Sequence, residues 1–417
     1  MTETPISRLS INADRLMSRL AALSEVGDTG DGGVCRLALT DADRDGRDLV
    51  VSWMRDLGLR VDIDGIGNVT GTWPADSTED PVMTGSHIDT VRTGGRYDGN
   101  YGVLAGLEVI ETVIESGIEI GRPLAVAFFT DEEGARFAPD MLGSLVYVGG
   151  LPLEVALDTV AIDGAILGDD LERIGYRGPL PCPARPPAAF VEVHVEQGPV
   201  LEAEGFTIGA VTGVQGILWR ELTITGQSNH AGTTPMSMRH DAGFAAASLA
   251  STVRSIATEI GGAQVGTVGR IDLQPNLVNV VAAKATMTVD LRNTDAELLA
   301  EAERRLDAAI AELAHTEGVK ITSRELARFA PVDFDPAVID LVEHVAIARS
   351  CSVRRLPSGA GHDAQMLARV CPTAMVFVPS VGGISHNPAE HTSPTDLEAG
   401  ANVLLDVMLN LATEHTT

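Results

Sequence analysis

The chain has 417 residues, of which 44% are hydrophobic, and a formal net charge of −28 at pH 7, with Lys284 and Lys320 as its only lysines. A chain of this length exceeds one ordinary core, so we expect two packed domains. Because counterion release requires a basic face, the acidic composition disfavours binding to nucleic acids or anionic membranes.

Targeting signals and cysteine pairs are not apparent in the sequence. The segment Met1–Pro5 does not begin a signal peptide, and no apolar run reaches the length of a membrane span. The four cysteines are scattered without C-x-x-C spacing, at Cys35, Cys182, Cys351 and Cys371. Such cysteines are typical of reduced thiols, so we expect a cytoplasmic protein.

Hydrophobic periodicity predicts helices and strands in the first part of the chain. Apolar residues recur at helical spacing from Ile6 to Leu23 and from Gly102 to Ile114. The segment Asp41–Gly46 imitates the opening of a calcium-binding loop, but its twelfth position is Ser52 instead of Glu. A helix is therefore predicted there. Strands are predicted at 59–63 and 69–73.

Four apolar strands carry ionisable residues at or just beyond their carboxyl ends. The segment 81–84 leads to His87 and Asp89, 122–130 to Glu132 and Glu133, 190–196 carries His194, and 373–378 leads to His386. Open α/β sheets place ligands at this edge. The glycines around Asp98 let a further carboxylate fold back to the same point.

A segment with a different pattern of predicted elements lies between these strands. Its predicted elements are a strand at 218–225, a helix at 241–256, strand material at 277–292, a helix from the capping box 294–297 to about Leu313, and a strand at 319–323. A β-α-β-β-α-β order suggests an inserted ferredoxin-like domain. The predicted division is therefore 1–212 and 329–417 for the main domain and 213–328 for the insert.

The ionisable residues at the strand ends suit divalent metals. Three imidazoles and two carboxylates are candidate ligands for zinc, manganese or cobalt: His87, Asp98, Glu133, His194 and His386. Two such ions close together would polarise a carbonyl and supply a nucleophile at neutral pH. Glu132 is then the natural general base, and Asp89 is placed to orient His87.

Each of these residues also has an ordinary structural interpretation. Glu132 and Glu133 alone would be taken for an exposed acidic pair, and His194, alternating with valines, for a core histidine. Their joint occurrence at four strand ends favours a metal centre instead.

The motifs around these residues resemble the carbamoylase branch of the M20 metallopeptidase family, over roughly residues 10 to 410. The matching segments are Gly85–Val91, Gly94–Gly99, Glu132–Phe137, His194–Pro199, Asn229–Met236, Ser358–Ala364 and Ser385–Glu390. The resemblance implies a zinc-peptidase-like mixed sheet with helices on both faces. It also implies that the inserted ferredoxin-like α+β domain serves as a lid and forms a homodimer.

The same resemblance implies roles for individual residues. One metal would be held by His87, Asp98 and His194, and the other by Asp98, Glu133 and His386. Glu132 would be the base and Asp89 the orienting carboxylate. His230 would stabilise the oxyanion, in its own active site or across the dimer.

The resemblance further implies a substrate-binding set consisting of Gln197, Asn279 and Arg292. The guanidinium of Arg292 suits a carboxylate, although a solvated charge at a strand end is the alternative. The loop Gly359–Gly361 either presents N–H groups to an anion or forms a tight turn. Relatives often have Pro and Asn at the positions of Arg92 and Thr93. This difference concerns the shape of the loop and not catalysis.

These inferences predict a dinuclear amidohydrolase that cleaves the ureido group of N-carbamoyl-L-amino acids and releases ammonia and carbon dioxide. The alternatives within the family are an allantoate amidohydrolase, a β-ureidopropionase, and an aminoacylase or dipeptidase. The alternative from another class is a non-catalytic dimeric binding protein, which would have no need of the base Glu132.

Overall fold

A computed structural model of the protein describes residues 9–413 and divides the chain into two compact units. The first unit contains the chain up to Gly213 and from Asp333 onward, and the second contains Val214–Val332. For comparison, the sequence places these divisions after residues 212 and 328. Within residues 9–413, no helix is long and apolar enough to cross a membrane.

The first unit begins with two helices, α1 (Ala13–Ser24) and α2 (Asp41–Asp56). Helix α1 begins later than predicted, because Asn12 caps it by accepting the N–H of Arg15. The start of the predicted helix, residues 6–8, lies outside the described residues. Helix α2 is capped by Thr40, which confirms the helical interpretation of the segment that imitates a calcium loop.

In the part of the chain that the structure describes, six strands and five helices then lead toward the second unit. These elements are β1 (Arg60–Ile63), β2 (Val69–Trp73), β3 (Val82–His87), α3 (Asn100–Ser116), β4 (Leu124–Phe129), α4 (Leu142–Tyr147), α5 (Leu153–Leu157), α6 (Leu167–Ile174), β5 (Ala189–Val195), α7 (Val200–Glu204) and β6 (Ile208–Val214). Strands β3, β4 and β5 are buried at every position, as their apolar sequences predict.

The second unit has the predicted β-α-β-β-α-β order. Its elements are β7 (Gly216–Thr225), α8 (Ala242–Ile260), β8 (Val265–Gln274), β9 (Lys284–Asn293), α9 (Ala296–Thr316) and β10 (Lys320–Phe329). The strands form an antiparallel sheet in the order β10-β7-β9-β8. The apolar faces of α8 and α9 pack on this sheet and form a core of their own.

Three details of the second unit differ from the predictions. Strand β8 is not among the predicted strands, and the apolar segment from Leu277 to Ala283, predicted as strand material, lies outside β8 and β9. Helix α9 is capped by Asp295, whose carboxylate accepts two backbone N–H groups, instead of by Thr294.

The chain then returns to the first unit. The returning elements are β11 (Val332–Asp333), α10 (Pro336–Ala348), β12 (Val353–Ser358), α11 (Asp363–Leu367), β13 (Thr373–Val378) and α12 (Pro394–Thr413). Among the described residues, nine strands form one sheet in the order β1-β2-β4-β3-β5-β13-β6-β11, with β12 paired to β6. The sheet contains both parallel and antiparallel pairs, which confirms the predicted mixed α/β class.

Candidate metal centre

Four neighbouring parallel strands bring the predicted ligands to one edge of the sheet. Strands β4, β3, β5 and β13 are adjacent and parallel, so their carboxyl ends coincide. His87 ends β3, Glu132 and Glu133 follow β4, His194 lies near the end of β5, and His386 follows β13. The common edge explains why residues up to 299 positions apart in the chain converge.

The converging side chains form two sets of donor atoms that share one carboxylate. Within each set the donor atoms lie within 4.8 Å of one another; the sets are His87, Asp98 and His194, and Asp98, Glu133 and His386. Oδ1 of Asp98 lies 3.3 Å from Nε2 of His194, whereas its Oδ2 lies 3.2 Å from Nε2 of His386. Each oxygen of Asp98 therefore faces a different set, as a bridging carboxylate would.

The hydrogen bonds of the buried histidines fit metal coordination. Nδ1 of His87 lies 2.9 Å from the carbonyl oxygen of Asp89, and Nδ1 of His194 lies 2.9 Å from that of Val195. When each Nδ1–H donates to its carbonyl, the lone pair is on Nε2, the nitrogen that faces Asp98. Imidazole and carboxylate donors in this arrangement fit zinc, manganese or cobalt.

The carboxylate of Asp89 has a different partner from the one expected. Its Oδ1 is 3.9 Å from Nδ1 of His87, which is bonded instead to the carbonyl of the same residue. The carboxylate accepts the N–H groups of Glu132, at 3.3 Å, and Glu133, at 3.4 Å. Asp89 thus orients His87 through its backbone and holds the Glu132–Glu133 loop through its side chain.

Mutual contacts between imidazoles and carboxylates shift the pKa values in the centre. Burial opposes the charged ring of His194, but the hydrogen bond and negative charge of Asp98, together with the charge of Glu192, outweigh it and raise the pKa of His194 to about 9. Hydrogen bonds to Asp98 and Glu133 raise the pKa of His386 to about 11. Burial would raise the pKa of Asp98, yet these histidines hold it well below its ordinary value.

Glu132 is buried beside the first donor set. Its Oε2 lies 3.4 Å from Nε2 of His87, and its side chain is almost inaccessible to solvent. Burial raises the pKa of Glu132 well above its ordinary value, and the carboxylates of Asp363 and Glu133 raise it further. A buried carboxyl group with a raised pKa is suited to accepting and returning a proton.

Among the predicted substrate-binding residues of the first unit, Gln197 contacts the shared ligand Asp98. Nε2 of Gln197 donates to Oδ2 of Asp98 at 3.0 Å, and its own Oε1 is buried without a partner among the described residues. A Cβ atom on Gly361 would lie 2.9 Å from Cε of Met141. In the Gly359–Gly361 loop, the N–H of Ala360 donates to Oγ of Ser358. That N–H therefore serves the turn itself.

The other three predicted substrate-binding or catalytic residues lie in the second unit. His230 pairs with Val280 in an isolated bridge, and the N–H of Ala231 donates to the carbonyl of Asn279 at 3.0 Å. His230 and Asn279 are thus neighbours within this unit.

Arg292, in β9, is held by a carboxylate and an aromatic ring. Its Nε and Nη2 donate to Asp290 at 2.9–3.1 Å, and its guanidinium lies 5.7 Å from the centre of the Trp219 ring. The side chain is therefore oriented before any substrate binds.

Two buried carboxylates that support the centre had no role in the sequence analysis. Glu390 accepts the N–H groups of Tyr97, at 2.8 Å, and Asp98, at 3.2 Å, so it fixes the loop that carries the shared ligand. Glu192 accepts Oγ–H of Ser86 at 2.6 Å, next to His87. Two features of the sequence point to these carboxylates: Glu390 lies four residues after His386, and Glu192 lies on the same strand face as His194.

Buried Arg36 also supports the centre. Its Nε donates to the carbonyl of Ile88 at 2.6 Å, and its Nη2 donates to the side chain of Asn100 at 2.7 Å. Arg36 therefore ties the His87 loop to the start of α3. A lone arginine between predicted elements gives no signal of this role.

The chain is similar to known proteins over nearly its whole length. The profile of Peptidase family M20/M25/M40 matches residues 83–410. An N-carbamoyl-L-amino-acid amidohydrolase of Rhizobium meliloti is 42% identical over 96% of this chain and 97% of its own length. An allantoate amidohydrolase of Bacillus subtilis is 34% identical over 94% of this chain and 95% of its own. Among solved structures, a hydantoinase/carbamoylase family amidase from Burkholderia multivorans has a TM-score of 0.93 at 45% identity, covering 97% of this chain and 99% of that one.

Proposed function

The chain belongs to peptidase family M20/M25/M40 and is a hydrolase of carbon–nitrogen bonds, and from this premise we propose that it hydrolyses N-carbamoyl-L-amino acids. One water is consumed, and the products are the free amino acid, ammonia and carbon dioxide. The observation that carries the proposal is the 42% identity, over nearly the whole of both chains, to a protein named for this reaction.

We propose that the two donor sets hold two divalent ions, zinc, manganese or cobalt, with Asp98 shared between them. The arrangement of its two carboxylate oxygens supports this assignment. When bound, such ions would polarise the carbamoyl carbonyl and make water a stronger nucleophile at neutral pH.

The protein's own groups would handle the proton and position the substrate. Glu132 would take the proton of the attacking water and return it to the leaving nitrogen, a role that its burial beside His87 supports. Asp89 would keep Glu132 in place through the backbone N–H groups that it accepts. His230 would donate a hydrogen bond to the developing oxyanion.

The substrate's polar groups would be bound by the predicted substrate-binding residues. Gln197 and Asn279 would bind its amide groups, Arg292 its carboxylate, and the loop Gly359–Gly361 would line its site. The orientation of Arg292 by Asp290 supports a role in reading a planar carboxylate.

We also propose that the protein is a homodimer formed through the second unit. Strand β8 is at the edge of its sheet and is largely exposed, with Val265 and Ile271 more than two-fifths accessible. Exposed edge strands are templates for pairing with another chain. Light scattering after gel filtration should give twice the mass of one chain, and a monomer at all concentrations would contradict this proposal.

The second candidate is hydrolysis of allantoate, favoured by the relative from Bacillus subtilis. Ammonia release should be measured with the zinc- or manganese-loaded protein on N-carbamoyl-L-amino acids, allantoate and β-ureidopropionate, and cleavage of a dipeptide should be measured by the appearance of free amino acids. Release from N-carbamoyl-L-amino acids supports the proposal, and preference for allantoate replaces it by the second candidate. Cleavage of the dipeptide alone, or no release from any ureido compound, refutes both.

A further inference from the structure

The loop that contains His230 is tied down by backbone hydrogen bonds within the second unit. The N–H of Val281 donates to the carbonyl of Asn229 at 2.8 Å, which closes the bridge between the two segments. Arg239 braces the turn that follows, donating from Nη2 to the carbonyl of Ala231 at 2.6 Å. The backbone around the exposed imidazole is therefore fixed, although the ring itself is accessible.

The hydrogen bonds of the ring distinguish its two nitrogens. Nδ1 of His230 accepts the backbone N–H of Gly232 at 3.0 Å and that of Thr233 at 3.3 Å. A nitrogen that accepts N–H groups presents its lone pair, and a neutral imidazole has only one such nitrogen. The proton of the neutral ring therefore belongs on Nε2.

We propose that the amides of Gly232 and Thr233 are positioning groups that hold His230 as its Nε2–H tautomer. His230 then acts through Nε2 as a hydrogen-bond donor and not as a base. The alternative tautomer would direct Nδ1–H at two other N–H groups and lose both hydrogen bonds, which disfavours it by about ten-fold or more. The part of this inference that concerns catalysis rests on the proposed function, in which His230 donates to the oxyanion.

A donor fixed in advance suits the stabilisation of charge that develops during the reaction. Such a group needs no reorganisation when the oxyanion forms, because its proton already lies on the outward nitrogen. A short turn of the backbone thus supplies the orientation that a carboxylate supplies to histidine in many active sites.

The tautomer can be observed directly by nitrogen NMR of the full-length protein labelled with ¹⁵N-histidine, metal-free or loaded with diamagnetic zinc. The His230→Asn variant assigns the signals. We expect Nε2 in the chemical-shift range of a protonated nitrogen and Nδ1 in that of an unprotonated one. A proton on Nδ1, or signals averaged between two tautomers, would overturn the inference.

Two matched variants test which nitrogen acts. In His230→Gln the amide nitrogen lies near the former position of Nε2, whereas in His230→Asn the amide oxygen can still accept the N–H groups of the turn but no donor reaches outward. We expect His230→Gln to retain at least ten-fold more turnover than His230→Asn, with both variants equally folded by circular dichroism. Equal activities, or a more active His230→Asn, would contradict a donor role for Nε2.

Failure of the proposed function would be recognised separately. A wild-type protein that releases no ammonia from any ureido substrate refutes the substrate class. The NMR spectrum then still decides whether the turn selects the Nε2–H tautomer, because that measurement does not depend on catalysis.

Discussion

Gly99 allows the backbone to pass very close to the imidazole of His87, a predicted metal ligand. Its replacement by alanine therefore tests the geometry of the metal centre. Gly99 has φ of 65°, and an added Cβ would lie 2.5 Å from Cε1 and Nε2 of His87. Ordinary contacts begin near 3.4 Å, so the imidazole would move by about 0.9 Å. Because metal–ligand distances tolerate only about 0.2 Å, this displacement disrupts coordination.

Gly117→Ala is a control for the positive φ at this substitution. Gly117 has nearly the same φ, 66°, but no atom lies within 4 Å of an added Cβ. Gly117 has ψ of 17° and lies in the left-handed region, so Gly117→Ala should lower the free energy of unfolding by about 1–2 kcal/mol. Gly99 has ψ of −50° and lies outside that region, so Gly99→Ala should lower the free energy of unfolding further. Only Gly99→Ala should also weaken metal binding, by about 10- to 100-fold, and turnover by roughly 100-fold.

The assay is competition for zinc with a chromophoric chelator, combined with denaturant unfolding of the metal-free variants and steady-state ammonia release. If Gly99→Ala matched Gly117→Ala in zinc affinity and turnover, then His87 would not be a ligand at the position we describe, and the reasoning would be refuted.

Three further predictions concern the substrate, the shared ligand and protons. Arg292→Ala should raise KM for a carboxylate substrate about ten-fold or more but leave its carboxamide analogue unaffected; equal effects on both would remove Arg292 from the carboxylate site. Glu390→Ala removes the acceptor of the N–H groups of Tyr97 and Asp98, so the free energy of unfolding, measured from melting curves, should fall by about 1–3 kcal/mol. Titration with metal should show a weaker affinity for the same variant. In the metal-free protein the pKa of His194 is raised from 6.5 to about 9; its stabilising contribution is therefore present below pH 6.5 and lost as the pH rises through 9. Coordination needs the neutral ring, so metal binding at pH 7 should release protons, and the affinity for metal should rise toward pH 9. If calorimetry gave the same heat of metal binding in buffers of different ionisation enthalpy, this prediction would be contradicted.

The residues at the common edge of the sheet are predictable from the sequence because the apolar strand patterns and the positions of the ionisable residues agree there. Strands β3, β4, β5 and β13 are short apolar runs, each with ionisable residues at or beyond its end, and parallel pairing places those ends together. Residues such as His87 and His386 are therefore predictable as neighbours despite their separation in the chain.

Strand β8 is not predictable from the sequence because its pattern is interrupted. Its register shifts between Thr267 and Arg270, and most of its residues are exposed, so neither alternation nor apolar content marks it. The opposite error occurred at Leu277 and Val278, whose apolar side chains are exposed instead of lying in a strand. Asn276 adopts a φ of 55° just before them, in the turn that follows the end of β8 at Gln274.

The supporting residues of the centre are not predictable by the same means. Arg36 and Glu390 act through contacts with backbone groups of distant loops, and those contacts depend on how the loops fold. Local periodicity carries no information about such partners. Likewise, the sequence favours the carboxylate of Asp89 as the partner of His87, whereas only the folded loop reveals that the carbonyl is closer.

The most direct test of the proposed mechanism is turnover by Glu132→Ala with its metal content measured on the same sample. This variant should bind the same two equivalents of zinc as the wild type and unfold at a similar temperature, yet release ammonia from N-carbamoyl-L-amino acids at least 100-fold more slowly. Turnover close to that of the wild type, at equal metal content, would contradict the assignment of Glu132 as the base and with it the proposed mechanism.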